Sequence, residues 1–235
     1  IVMIAGAIND DSGSSTATAE LGEEQVANYV FSINSGQTAN IAENTAASTA
    51  VMTVAVTDGP ASGCSISSGA TDVDSDGNAP FAISSSCAIT VNDAGDLNYE
   101  SQTSFTLSIL ATDSSGAADV GTVTISVTDV NDQTPAVTVA ATYNHAEAAA
   151  TTFQTYTIVD TDTAGAYTCT LGGDDAADFT RSITGKVCTV SWAANPNYEA
   201  PADADIDNVY DITIAFSDGT NDLAAQTTAI TVTDV

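Results

Sequence analysis

The side chains of this sequence with the most capacity for chemistry are its carboxylates, and they are unevenly spread. Asp113, Asp129, Asp132, Asp160, Asp162, Glu199, Asp203, Asp205, Asp207 and Asp218 gather at the ends of apolar runs and at one junction, while only Arg181 and Lys186 are available to pair with them. Carboxylates crowded without cations repel one another. A hard divalent cation relieves that repulsion, and calcium takes roughly six to eight oxygens from Asp, Glu, Asn and backbone carbonyls. Paired carboxylates also serve glycoside hydrolysis. Four cysteines fall in two pairs, Cys64 with Cys87 and Cys169 with Cys188, 23 and 19 positions apart. Nucleophilic catalysis has little to draw on, because His145 is the only histidine and no serine sits in a G-x-S-x-G elbow. No Gly-rich phosphate loop is present, and Trp192 is the sole tryptophan available to a sugar-binding platform. The chain reads as a protein that is not an enzyme.

The elements that must hold these groups are strands. The residues are 43% hydrophobic with a mean hydropathy of +0.10, enough apolar surface for a packed core. Val123, Ile125 and Val127 alternate with Thr124, Ser126 and Thr128, and Tyr210, Ile212, Ile214 and Phe216 alternate with Asp211, Thr213 and Ala215. Period two with one polar face describes half-buried antiparallel sheets. The pattern also repeats along the chain. FTLSILATD (105–113) is answered by YDITIAFSD (210–218), and ISVTDV (125–130) by ITVTDV (230–235), both at an offset of 105. Cys64 and Cys169 share that offset. Two units of roughly 100 residues suit two small sandwiches, placed at 34–132 and 133–235, with Pro135 stopping strand pairing between them. Matched cysteine pairs are expected to be disulfides, Cys64–Cys87 and Cys169–Cys188. Zinc fits less well, since no CxxC spacing appears. Disulfides imply an oxidising, extracellular location. The net charge of −29 excludes nucleic acid and anionic membrane surfaces as partners. The longest apolar run, residues 1–8, is too short to span a bilayer, so no direct membrane insertion is expected.

The motifs in these units resemble tandem cadherin-like repeats of the bacterial or environmental kind, over about residues 34–235. The first repeat carries IAEN (41–44), LNYE (97–100), ATD (111–113) and TDVNDQTP (128–135); the second carries DTD (160–162), NYE (197–199), FSD (216–218) and TDV (233–235). The resemblance implies an all-β fold of two tandem Greek-key, immunoglobulin-like sandwiches whose junction is locked by calcium. Carried over position by position, it implies Glu43, Glu100, Asp129, Asn131 (through its side-chain oxygen) and Asp132 as ligands from the first repeat, and Asp160, Asp162 and Asp218 from the second. Calcium ligation then accounts for the carboxylates better than hydrolysis does, because each falls on a motif. Asn98 and Gln133 depart from the family's usual Asp and Asn. No DxND precedes the first repeat, so no full site is expected at its front, and Asp113 is expected to be a strand-end acid. The acidic loop 201–208 either adds ligands beside Glu199 and Asp234 or is solvated. TDVDSDGN (71–78) starts like an EF-hand loop, but position 83 is isoleucine where a bidentate glutamate is needed, so a turn is expected.

Residues 1–33 are expected to form an N-terminal strand and linker extension. An apolar strand without a partner in its own chain is able to complete a neighbour's sheet. The expected function is therefore a non-enzymatic, calcium-rigidified extracellular subunit of a surface filament or matrix fibre, joined head to tail with copies of itself. The alternative is a repeat segment of a large calcium-dependent adhesin that binds another surface protein.

Overall fold

Alternation in the sequence becomes burial in the strands. Strand Ser104–Thr112 buries Phe105, Leu107, Ile109 and Ala111 and turns Ser104, Thr106 and Leu110 outward. Strand Val209–Ser217 does the same with Tyr210, Ile212, Ile214 and Phe216. The computed structural model describes residues 30–162 and 165–235. Among these residues the only helical element is a single turn, Ala176–Asp178. The protein is all-β, in two tandem sandwiches.

Each sandwich sets a four-stranded sheet against a three-stranded one. In the first, the larger sheet runs Gln37–Ala42, Ala118–Thr128, Ser104–Thr112, Gly63–Ser68, and the smaller runs Ala50–Thr53, Ala88–Val91, Phe81–Ile83. In the second, the larger runs Thr142–Ala146, Asp222–Thr233, Val209–Ser217, Thr168–Gly172, and the smaller runs Thr152–Thr157, Val187–Trp192, Phe179–Thr184. Gln37–Ala42 and Thr142–Ala146 pair in parallel with the last strand of their own sandwich, and the other pairings are antiparallel. The first residues of three strands in the larger sheets differ by the same 105 positions seen in the motifs.

Two separate cores result. The first holds Phe81, Ile89, Leu97, Phe105, Leu107, Ile109 and Ile125; the second holds Tyr156, Phe179, Trp192, Tyr210, Ile212, Phe216 and Ile230. The cysteines form the expected disulfides, with Cα–Cα distances of 5.2 Å for Cys64–Cys87 and 6.2 Å for Cys169–Cys188. Each ties the larger sheet to the smaller across its core.

One short strand reaches further into the first core than a boundary at residue 34 allows. Ser32–Ile33 pairs with Val56–Thr57, and Phe31 and Ile33 are buried among the core side chains. Ile33 lies over Gly121, where a Cβ would collide with its side chain. The remainder of the expected extension, residues 1–29, and with it the apolar run 1–8 expected as the exchanging strand, lies outside the described residues.

Candidate metal centre

Strand ends bring the acids to the junction. Glu43 follows Gln37–Ala42, Asp129 follows Ala118–Thr128, and Asp218 follows Val209–Ser217. Asp160 and Asp162 follow Val159, whose backbone bridges Ala136 in both directions and anchors the linker to the second sandwich.

Two trios of carboxylates form there, each with its facing oxygens within 4.8 Å of one another: Glu43, Glu100 and Asp129, and Glu100, Asp132 and Asp162. Glu100 belongs to both. The remaining expected residues attach through hydrogen bonds. Asp162 N–H donates to Asp160 Oδ1 at 3.1 Å, and Asn221 Nδ2 donates to Asn131 Oδ1 at 3.0 Å and to Asp218 Oδ2 at 3.3 Å. The trios thus join Glu43, Glu100, Asp129 and Asp132 of the first repeat and linker to Asp162 of the second, Asp160 lies beside Asp162, and Asn221 links Asn131 to Asp218.

Backbone donors fix several of these groups. Glu43 is buried, and its two oxygens accept from Val130 N–H at 2.7 Å and Tyr99 N–H at 2.8 Å. Asp162 is 1% exposed and takes Gln133 N–H from the linker at 2.8 Å. Gln133 also donates from Nε2 to Asp132 Oδ1 at 2.7 Å, while Asn44 Nδ2 donates to Asp132 Oδ2. Burial works to raise the Asp218 carboxyl, but the N–H groups of Asn221 and Thr220 outweigh it and hold the group below its usual range.

Glu100 differs. Both its carboxyl oxygens are buried and neither has a hydrogen-bond donor. Burial, with the charges of Glu43 and Asp162, pushes its pKa to about 7. A buried carboxylate without donors, set among other carboxylates, is costly unless a cation joins it. Ligand chemistry is all oxygen, and two oxygens held roughly 2.3–2.6 Å from one ion span up to about 5 Å. The residues present fit calcium.

Other groups fall where sequence motifs offer less guidance. Glu147 lies with Glu199 and Asp234 in a further trio, and its Oε2 accepts from Tyr198 N–H at 2.9 Å, as Glu43 accepts from Tyr99. The signal for Glu147 was its position 104 residues after Glu43. Loop 201–208 turns elsewhere. Asp203 is buried beside Asp175, whose oxygens accept from Ala204 N–H at 2.7 Å and Asp211 N–H at 2.6 Å. Asp113 caps a hairpin turn through Ser115 and Ala117. His145 packs its ring 5.2 Å from Trp192 and is held below its usual pKa by burial. Lys186 donates to the carbonyl of Asp160 at 2.9 Å and lies 5.2 Å over the Tyr167 ring.

Residues 37–128 match the cadherin domain family model. No curated protein matches the chain in sequence. Solved structures share its fold. The human desmocollin-1 ectodomain is 17% identical with a TM-score of 0.68, over 87% of this chain and 42% of that one. Mouse cadherin-23 EC22-24 is 22% identical with a TM-score of 0.63, over 88% and 65%. The protocadherin gammaB7 EC3-6 cis-dimer is 18% identical with a TM-score of 0.62, over 85% and 46%. The chain spans less than two thirds of each of these structures. The chain therefore has the fold of tandem cadherin ectodomain repeats, and residues 37–128 are similar to a cadherin domain.

Proposed function

We propose that this chain is a calcium-stiffened pair of cadherin-like repeats from an extracellular, adhesion-type protein without enzymatic activity. The observation that carries this reading is Glu100, whose two buried, donorless oxygens join a trio of the first repeat to a trio that includes Asp162 of the second. Calcium bound by Glu43, Glu100, Asp129, Asn131, Asp132, Asp160, Asp162 and Asp218 holds the two sandwiches in one orientation. The disulfides support an oxidising location. Among the described residues no helix is long and apolar enough to cross a membrane.

Partners of such a unit are further copies of itself or another surface protein. Self-association is supported by likeness to a structure titled as a cis-dimer. A filament or matrix-fibre subunit and a repeat segment of a larger adhesin both use the same stiffened pair. Deleting residues 1–12 separates them: loss of calcium-dependent polymers supports strand exchange, and polymers that persist remove it.

Calorimetric titration of the full chain with calcium tests the junction. The wild type is expected to bind, and Glu100→Gln and Asp162→Asn each to weaken binding at least about tenfold. Equal affinity in all three proteins overturns the reading.

A further inference from the structure

Five aspartates of the first sandwich face one another across two loops and share no member with the junction trios. Asp72, Asp74 and Asp76 lie in the loop between Gly63–Ser68 and Phe81–Ile83, and Asp93 and Asp96 follow Ala88–Val91. Oxygens of Asp72, Asp74 and Asp96 lie within 4.8 Å of one another, and so do those of Asp74, Asp76 and Asp93. The loops are pinned together, because Asp96 Oδ1 accepts from the N–H groups of Val73 and Asp74. Gly95 has no Cβ, and one there would collide with the Asp74 carboxylate.

Turn hydrogen bonds explain part of the crowding. Asp72 accepts from Ser75 and Gly77, and Asp74 from Asp76. They do not explain Asp96. Its side chain is 0% exposed, it stands among the other carboxylates, and its Oδ2 has no hydrogen-bond donor. A carboxylate oxygen buried in this way, without a donor and among other carboxylates, is costly unless a cation joins it. No lysine or arginine occurs before Arg181, so no basic side chain of the first sandwich supplies it.

We infer that loops 71–78 and 92–96 form a second divalent-cation site, inside the first repeat, in which Asp72, Asp74 and Asp96 bind a hard cation such as calcium. Asp76 and Asp93 add negative charge on the other side of Asp74. An EF-hand loop closes on a glutamate within its own segment; here position 83 is isoleucine and the closing carboxylate comes from Asp96 in a separate loop. The site fixes two loops to each other, whereas the junction fixes two repeats. It does not depend on the junction reading.

The test is a calcium titration of the full chain, followed by calorimetry and by the amide resonances of Gly77 and Gly95. In a Glu100→Gln background those resonances are expected to shift with calcium. Adding Asp96→Asn or Asp74→Asn is expected to abolish the shift and remove a class of binding, with at least about a tenfold loss of affinity. The Asp96→Asn change keeps a side-chain oxygen for the Val73 and Asp74 N–H groups, so it tests charge. Asp74 is exposed, and its variant decides the question if Asp96→Asn does not fold. Resonances of Gly77 and Gly95 that stay fixed at saturating calcium, or an Asp74→Asn protein that titrates like the wild type, overturn the inference. A protein sensitive to Asp74→Asn but not to Glu100→Gln retains this site and loses the junction.

Discussion

Glu100 is the residue on which the junction turns. Its pKa of about 7 lies well above the ordinary 4.5, first through burial and then through Glu43 and Asp162. A carboxyl whose folded pKa is raised favours the protonated fold, so cation-free stability is expected to fall as pH rises from about 4.5 to about 7. Thermal melts in chelator across that range check the sign; a rise in stability over the window contradicts it. Calcium competes with the same proton, so apparent affinity should weaken as pH drops below about 7. Glu100→Gln removes the repulsion together with the ligand. Its melting temperature in chelator should equal or exceed that of the wild type, while its response to calcium shrinks. Glu43, Glu100, Asp160 and Asp162 were legible because each stands in a short motif. Asn221, which ties Asn131 to Asp218, was not: it lies in a hairpin turn three residues after Asp218, and nothing in its neighbours marks it. The same limit hid the role of Asp96, whose partners are 22 to 24 positions away and meet it only through the fold.

Strands were easier to foresee than boundaries. Ala118–Thr128 and Val209–Ser217 announce themselves by the apolar and polar alternation over residues 123–128 and 210–216. Ser32–Ile33 has two residues, too few for any period, and joined the first core because Gly121 leaves room for Ile33. Ile33→Ala is accordingly expected to cost about 2–4 kcal/mol of first-repeat stability, as for other large buried aliphatics. Denaturant unfolding checks this, and a loss under about 1 kcal/mol would place Ile33 outside the core. The disulfides are a second test at this scale. Each closes a loop of about 20 residues between the two sheets of a sandwich, and the chain-entropy argument gives roughly 3 kcal/mol for such a loop. Replacing Cys64 and Cys87 with alanine should destabilise the first repeat by that order and leave the second repeat's transition in place. A shift confined to the second transition contradicts the pairing.

Charge organises the whole molecule. Thirty-one acids against two bases give −29, and both bases lie in the second repeat. The first repeat therefore faces its own carboxylates with no basic side chain, and cations from solution are the available remedy. Monovalent salt screens surface charges over a Debye length of roughly 10 Å at 0.1 M but reaches buried pairs poorly. Added salt should thus recover only a small part of the stability that calcium confers. The most direct measurement is thermal unfolding of the full chain at saturating calcium and again in chelator. A cation that binds the folded state alone, at about a hundred times its dissociation constant, adds about 2.7 kcal/mol. For a chain of this size that corresponds to a rise of roughly 5–10 °C in melting temperature. A shift of that order or larger, reduced by Glu100→Gln, is the predicted result. Identical melting curves with calcium and with chelator would contradict a junction held by calcium.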